Sequence, residues 1–335
     1  FSWPQVIIFG RRINIILYDR WQKLSLIIIK PGCDENNRNI SSENEILRLL
    51  LFTTAPKILQ LRHRYAMHSW LQLRPRPKIV VGIIANQTDP KTLQFYAQHD
   101  IRVIEVPRVS MPESDGTTFP LLPSLFQVVY DQFFAIKQVL YDIMLYVNAD
   151  ILLMQELMYS IKTAHVYSGK QNFLLFMHRW NIPFEEHSQN ETTTYSESDF
   201  HTLDWVDKLR SNVKKHGRKY MSYAIDTFAF KPSTYFNSSG TCILEDFAIG
   251  GSAWDNYMLY VAKHRPKTLL FDASENGEIA IHLNHGKDRT ESHSRNVSFY
   301  NQKLYGGREY GITDVNDLII TKGRCACLRV KKEQK

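Results

Sequence analysis

From residue 47 to residue 180 the chain alternates between short runs rich in Val, Ile and Leu and longer stretches with a helical apolar period. LRLLLFTTA, KIVVGIIAN, IRVIEVP, LYVNADILL and NFLLFMHRW read as strands, the first ending near Thr53 and Thr54. LQLRHRYAMHSWLQL, PKTLQFYAQHD, SLFQVVYDQFFAIKQVL and ELMYSIKTAHVYS read as the helices between them. Near-continuous apolar strands are buried on both faces, so the alternation predicts an α/β fold with a mainly parallel central sheet covered on both sides. In SLFQVVYDQFFAIKQVL the positions Leu125, Val129, Phe133, Ile136 and Leu140 recur at helical spacing and read as core.

The second half is less regular. SQNETTTYSESD reads as a long surface loop, FHTLDWVDKLRSNVKKH as a helix and IDTFAFKP as a short strand. SAWDNYMLYVAKH reads as a helix with Trp254, Tyr257, Met258 and Val261 on one face, and TLLFD and EIAIHLNH as two further strands. The polar cluster PGCDENNRNISSENE separates an N-terminal arm from the rest. The expected organisation is an arm and polar loop over 1–45, one domain over 46–325, and a basic C-terminal tail over 326–335.

With 335 residues, 44% hydrophobic and 22% charged, the chain can bury a sizeable core. A net charge of +7 favours anionic partners, but only RVKKEQK reads as a basic run. The scattered charge and the lack of a recognition motif argue against nucleic acid. Phe1 in first place reads as a processed chain or a fragment. VIIF, INIILY and LSLIII are interrupted by Arg11, Arg12, Asp19, Arg20 and Lys23, so no run approaches the ~20 residues of a bilayer span. Membrane attachment is expected only through a segment upstream. Five N-x-[ST] sequons, at Asn39, Asn86, Asn190, Asn237 and Asn296, favour a glycoprotein of the secretory lumen, with the Golgi as the expected compartment. Cys33, Cys242, Cys325 and Cys327 are compatible with disulfide bonds there.

The chemistry begins with Asp150, a carboxylate inside an apolar run. Such a charge is costly without a cation, a cluster of donors or an opening at the strand end. On one strand, Asn148 and Asp150 project to the same side, where two oxygen-bearing groups can hold a divalent cation against a diphosphate. The alternative is a cap or turn at the strand end. There is no P-loop and no G-x-G-x-x-G. Asp255, after a Gly-Gly turn, can act as a general base toward a hydroxyl, or complete a capping box begun by Ser252. His282 and His285 at the end of a strand can ligate a metal or serve as hydrogen-bonded structure. Asp226 and the pair Arg179-Trp180 sit at other strand ends, where they can ion-pair or stack on a sugar.

The order of the blocks FTTAP, RYAMHSWLQL, YVNADILL, FMHRWNI, AIDTFAF, AIGGSAWDNYMLYVA and AIHLNH resembles a glycosyltransferase-like family with the GT-A nucleotide-diphospho-sugar transferase fold, over roughly residues 48 to 287. The resemblance implies a three-layer α/β/α sandwich and an Asp-x-Asp-like motif holding Mn2+ or Mg2+ against the donor diphosphate. Here Asn148 and Asp150 occupy those positions, with an amide in place of the first acid. It further implies Thr53 and Thr54 near the nucleotide, His285 or His282 completing the metal shell, Asp255 on the acceptor side, and Arg179, Trp180, Asp226 and Trp254 near acceptor or sugar. HGKDRTESH departs from the His-Asp-Tyr-like ending of that family. The implied partners are a nucleotide-diphosphate sugar and a glycan, glycoprotein or lipid acceptor, and the implied activity is glycosyl transfer. The rival expectations are a sugar-nucleotide hydrolase and a catalytically silent carbohydrate- or nucleotide-binding protein, the latter favoured by Asn148.

Overall fold

A computed structural model describes residues 7–9, 12–14, 47–110, 118–135, 141–183, 204–220, 225–275, 279–284, 295–306, 318–321 and 327–330. A short hairpin, β1 (Ile7–Phe9) and β2 (Arg12–Asn14), pairs only with itself. The regular alternation then runs β3 (Leu49–Thr54), α1 (Leu61–Leu71), β4 (Lys78–Ile83), α2 (Pro90–Gln98), β5 (Arg102–Glu105), α3 (Leu122–Phe133) and β6 (Ile143–Val147). β7 (Ile151–Leu153), α4 (Glu156–Ser168), β8 (Asn172–His178), β9 (Trp180–Pro183), α5 (Trp205–His216), β10 (Arg218–Lys219) and β11 (Ile225–Phe230) follow. The chain continues with α6 (Trp254–His264), β12 (Thr268–Glu275), β13 (Ala280–Asn284), α7 (Arg295–Tyr305), β14 (Leu318–Thr321) and β15 (Cys327–Val330).

The central sheet has the order β15-β14-β12-β8-β11-β6-β3-β4-β5. β6, β3, β4 and β5 are mutually parallel, as are β8, β12 and β14. β11 is inserted antiparallel between β6 and β8, and β15, inside the stretch read as a basic tail, closes the edge antiparallel to β14. Alternate residues of each strand feed two cores. Leu51, Val81, Leu145 and Leu175 pack with α1, α2 and α4, while Phe52, Met144, Tyr146 and Phe228 pack with α3 and α6. The result is the mainly parallel three-layer α/β/α sandwich expected of a GT-A-like fold. On the second face Phe52 meets Phe126 edge-on at 5.0 Å, and Phe126 stacks on Phe230 at 5.6 Å. Each such buried ring contributes about 1.5–3 kcal/mol. Gly82 lets α3 approach β4, since a Cβ there would come within 2.5 Å of the Leu125 side chain.

LYVNADILL is not one strand. β6 ends at Val147 in the central sheet, residues 148–150 turn, and β7 begins at Ile151 in a second, four-stranded sheet of order β10-β9-β13-β7. The physical reason is that the backbone finds new partners at that point. The Asn148 N–H donates to the Asp226 carbonyl at 3.0 Å, and the Ile151 N–H donates back to the Asn148 carbonyl at 3.1 Å. β7 then pairs with β13 and is held by α1, where Trp70 Nε1 donates to the Ile151 carbonyl at 2.8 Å and the Leu153 N–H donates to Ser69 Oγ at 3.0 Å. NFLLFMHRW breaks in the same way, β8 lying in the central sheet and β9 in the small one, with Arg179 at the break. Tyr65, Leu152, Ile182, Ile281 and the apolar face of α5 form the core beneath the small sheet. No described helix is long and apolar enough to cross a membrane.

Candidate active site at the seam between the two sheets

The carboxyl ends of β3, β6 and β8 and the amino end of antiparallel β11 fall on one edge of the central sheet, where two strands cross into the small sheet. In open α/β sheets that edge is where ligands bind. A chain of polar contacts runs along it. The Tyr146 hydroxyl donates to Asn148 Oδ1 at 3.0 Å, Asn148 Nδ2 donates to Asp226 Oδ1 at 2.6 Å, and Arg179 Nη1 donates to Asp226 Oδ2 at 2.7 Å. The neighbours fix the amide's orientation, because turning it over would set its carbonyl oxygen against a carboxylate. Burial alone would favour loss of the Arg179 proton, but the charges of Asp226 and Asp150 outweigh it and hold the guanidinium pKa above its ordinary value. Arg179 lies 4.7 Å over the Tyr220 ring, and the Tyr220 N–H donates to the Arg179 carbonyl at 3.0 Å.

Asp150 sits in the turn rather than on the strand, with His282 Nε2 3.3 Å from its Oδ2. The two meet because β7 pairs with β13 in a register that sets Ile151 opposite His282. Asn148 has both ends of its amide engaged, so the pairing expected of Asn148 with Asp150 is replaced by Asp150 with His282. Among the described residues no three His, Cys, Asp or Glu side chains gather into a complete metal cage. The pair nevertheless fits a small divalent cation. Bonds of about 2.0–2.1 Å at a right angle span about 3 Å between neighbouring donors, close to the separation seen. A cation that keeps its other positions for water and phosphate oxygens requires only one or two protein ligands. His285 lies outside the described residues.

Asp255 stands in the first turn of α6. The capping box with Ser252 does not form. Ala253 precedes the helix in a left-handed conformation (φ 72°), no side chain caps it, and the Ser252 N–H donates to Ser298 Oγ instead. The Asp255 carboxylate accepts from the Asn256 N–H at 2.9 Å and from the N–H of Ile225. Its pKa is nevertheless pushed up to about 7, first by burial and then by the nearby charge of Asp226. Asp255 is half-buried.

The seam therefore gathers Thr54, Asn148, Asp150, Arg179, Asp226, Asp255 and His282, drawn from six separate stretches of sequence. Thr54 is hydrogen-bonded to Tyr146. Thr53 is not part of the surface. It is fully buried, because strand alternation turns it to the opposite face from Thr54. Trp254, expected to face a sugar, is also buried, edge-on to Tyr146 at 5.3 Å and tilted against Phe228 at 5.9 Å, so it supports the site from beneath. Trp180 lies half-buried on β9 beside the seam. Two residues escaped the sequence reading. Tyr146 is signalled only by one hydroxyl in an apolar run two positions before Asn148, and Tyr220 by nothing local, since it follows a two-residue strand. Two cavities, of about 490 and 320 Å3, lie away from the seam, the first bounded by Asp142, Gly169 and Lys231 at the opposite edge of the sheet.

No family model and no curated protein matches the chain. Among solved structures, S. aureus TarS 1-349 in complex with UDP-GlcNAc is similar at 10% identity over 77% of this chain and 65% of that one, with a TM-score of 0.43. Another structure of S. aureus TarS 1-349 gives 11% identity over 71% and 61%, with a TM-score of 0.38. Glucosyl-3-phosphoglycerate synthase from Mycobacterium tuberculosis in complex with Mn2+ and UDP-glucose gives 10% identity over 78% and 80%, with a TM-score of 0.41. The chain thus spans less than two thirds of the length of the TarS 1-349 structures. None of these likenesses reaches a TM-score of 0.5, and the functional reading stands on the side chains of the seam.

Proposed function

We propose that the protein transfers a glycosyl group from a nucleotide-diphosphate sugar to a hydroxyl acceptor at the seam. The observation that carries this reading is the meeting on one sheet edge of the Asp150–His282 pair with Asp255, a carboxyl poised near neutrality. Asp150 and His282 would hold Mn2+ or Mg2+, which when bound would supply positive charge against the diphosphate leaving group. Thr54, beside Tyr146 at the end of β3, faces the nucleotide. Arg179, kept charged and oriented by Asp226, supplies a fixed cation in a site otherwise rich in carboxylates. Asp255, ionised over half the time just above pH 7, accepts the proton of the acceptor hydroxyl. Trp180, packed against the core beneath the small sheet opposite Ile281, supports β9 from below and does not face a sugar.

Asn148 is the feature that favours a silent binding protein, but its amide has a positive role. It joins Tyr146 to Asp226 without adding a fourth carboxylate to those of Asp150, Asp226 and Asp255. A thermal-shift series of sugar nucleotides with and without Mn2+ tests donor binding, since a ligand of the folded state raises apparent stability. Product analysis with and without a sugar acceptor then separates transfer from hydrolysis. For compartment, we retain the secretory lumen on the strength of the sequons. Asn86, Asn237 and Asn296 are all exposed, with Asn86 in a turn just past β4. Cys242 is a free, half-buried thiol whose pKa burial pushes up to about 12, and the side chains of Cys33, Cys325 and Cys327 lie outside those described.

A further inference from the structure

The stretch KLRSNVKKHGRK, residues 208–219, holds six Lys and Arg among twelve residues, and most of it belongs to α5, which buries Trp205, Leu209 and Val213. The structure gives this charge a location. Lys208 pairs with Asp204 and Arg210 with Glu156, but Lys214, Lys215 and Arg218 meet no carboxylate among the described residues. Lys214, Lys215 and His216 are exposed on the last turn of α5, where basic side chains also complement the helix dipole. Arg218 and Lys219 then continue the charge past the helix onto β10, the outer strand of the small sheet. A helix-end role does not account for those two.

The ridge is continuous with the seam. β10 pairs with β9 so that Arg218 lies opposite Asn181, and β9 pairs with β13 so that Asn181 lies beside His282. Residues in lateral register share one face of a sheet. His282, Asn181 and Arg218 therefore form a polar row across three strands, with Arg218 about 10 Å from His282 by strand spacing. Asn181 Oδ1, in the middle of the row, is buried with no hydrogen-bond partner among the described residues. The next residue, Tyr220, is exposed beneath the Arg179 guanidinium. Cations, an unsatisfied amide and aromatic rings in one track suit a chain bearing both sugar rings and negative charges. A lipid surface would call for exposed apolar side chains beside the cations, and the most exposed of these, Ile58, Tyr159, Val166 and Phe299, sit on other elements.

We propose that the acceptor is an acidic glycan, a sugar chain carrying carboxylate, sulfate or phosphate groups, which lies across β10 with its anionic groups on Lys214, Lys215 and Arg218 and its acceptor end directed along the polar row to the seam. This rests on the transferase reading for the role of the chain as acceptor, though not for its binding. The test uses the full chain and measures binding of heparin fragments, alginate oligomers, neutral dextran and phosphatidylserine vesicles, over a salt series, to the parent and to Lys214→Glu/Lys215→Glu and Arg218→Glu. Donor binding is followed in parallel. The expected result is salt-sensitive binding of the sulfated or carboxylated chains but not dextran, weakened on the order of tenfold by either variant while donor binding and melting temperature hold. Equal binding by parent and folded variants overturns the proposal, as does an effect of the variants confined to vesicles, which would make the ridge a membrane surface. A parent that binds acidic chains but no sugar nucleotide defeats the transferase reading alone.

Discussion

Asn148→Asp is the substitution that would restore an acid to the motif, and the structure predicts that it fails. Asn148 Nδ2 donates to Asp226 Oδ1 at 2.6 Å, so the substitution places two carboxylates in direct contact. With charge centres about 4 Å apart and an effective dielectric constant near 20, their repulsion is about 4 kcal/mol. Retaining one shared proton is the alternative. At pH 5 that costs only about 1.5 kcal/mol against an ordinary aspartate pKa, but at pH 8 it costs more than the repulsion itself. The variant, assayed by urea unfolding without metal, is therefore expected to lose about 4 kcal/mol at pH 8 and less than half of that at pH 5. Adding Asp226→Asn removes the repulsion, so the double variant should be more stable at pH 8 than the sum of the single losses allows. A loss independent of pH, or strict additivity, would refute the assignment of Asn148 as the neutral link between Tyr146 and Asp226.

Four further outcomes are expected. Because the folded pKa of Asp255 is about 7 against 3.8 for an ordinary aspartate, folding favours its protonated form. Its contribution to stability is full below about pH 4 and is lost as pH rises through about 7, a decline of up to about 4 kcal/mol that Asp255→Asn should flatten in unfolding curves taken across that range. The same group acting as base requires kcat/KM to rise with pH through about 7, and Asp255→Asn should keep donor binding while losing transfer; a flat profile would remove Asp255 from the chemistry. Trp70→Phe, which deletes the 2.8 Å bond to the Ile151 carbonyl, should cost about 1–3 kcal/mol and raise the donor KM through the loosened turn, whereas an unchanged KM would show that α1 does not position Asp150. Glycosidase treatment of protein from native cells should shift its gel mobility; no shift would remove the case for the secretory lumen.

The sandwich was legible because most strands of its sheet carry their own signal, whereas β14 and β15, the latter in the stretch read as a basic tail, do not. Val80, Val81, Leu145 and Leu175 sit in runs too apolar for anything but a doubly covered sheet. The small sheet was not legible, because β6 to β7 and β8 to β9 read without a break. No Gly or Pro marks the crossings at Asn148–Asp150 or at Arg179, and only hydrogen bonds from distant segments, Asp226 and His282, reveal them. Asp150, Asp226, Asp255, Arg179 and His282 stand out in the sequence as polar residues beside apolar runs, and the structure brings them to one edge of the sheet. Which of them touch was beyond reach, since Arg179 meets Asp226 and Asp150 meets His282 across dozens of residues of sequence. Thr53 is turned into the core by strand alternation, and Trp254, at the start of α6, is buried against Tyr146 and Phe228, contacts that local sequence does not reveal.

The central claim is that Asp150 and His282 form a cation-dependent receptor for a sugar-nucleotide diphosphate, and calorimetric titration of donor into the parent and into Asp150→Asn, with Mn2+ and with chelator, tests it most directly. The account predicts that the parent binds donor with Mn2+ and loses most of that affinity with chelator. The variant should remain folded, because Asp150 sits half-buried in a turn, and should bind weakly and equally in both conditions. A folded Asp150→Asn that binds donor and Mn2+ as the parent does would contradict the claim and leave Asp150 as the turn residue that joins two sheets.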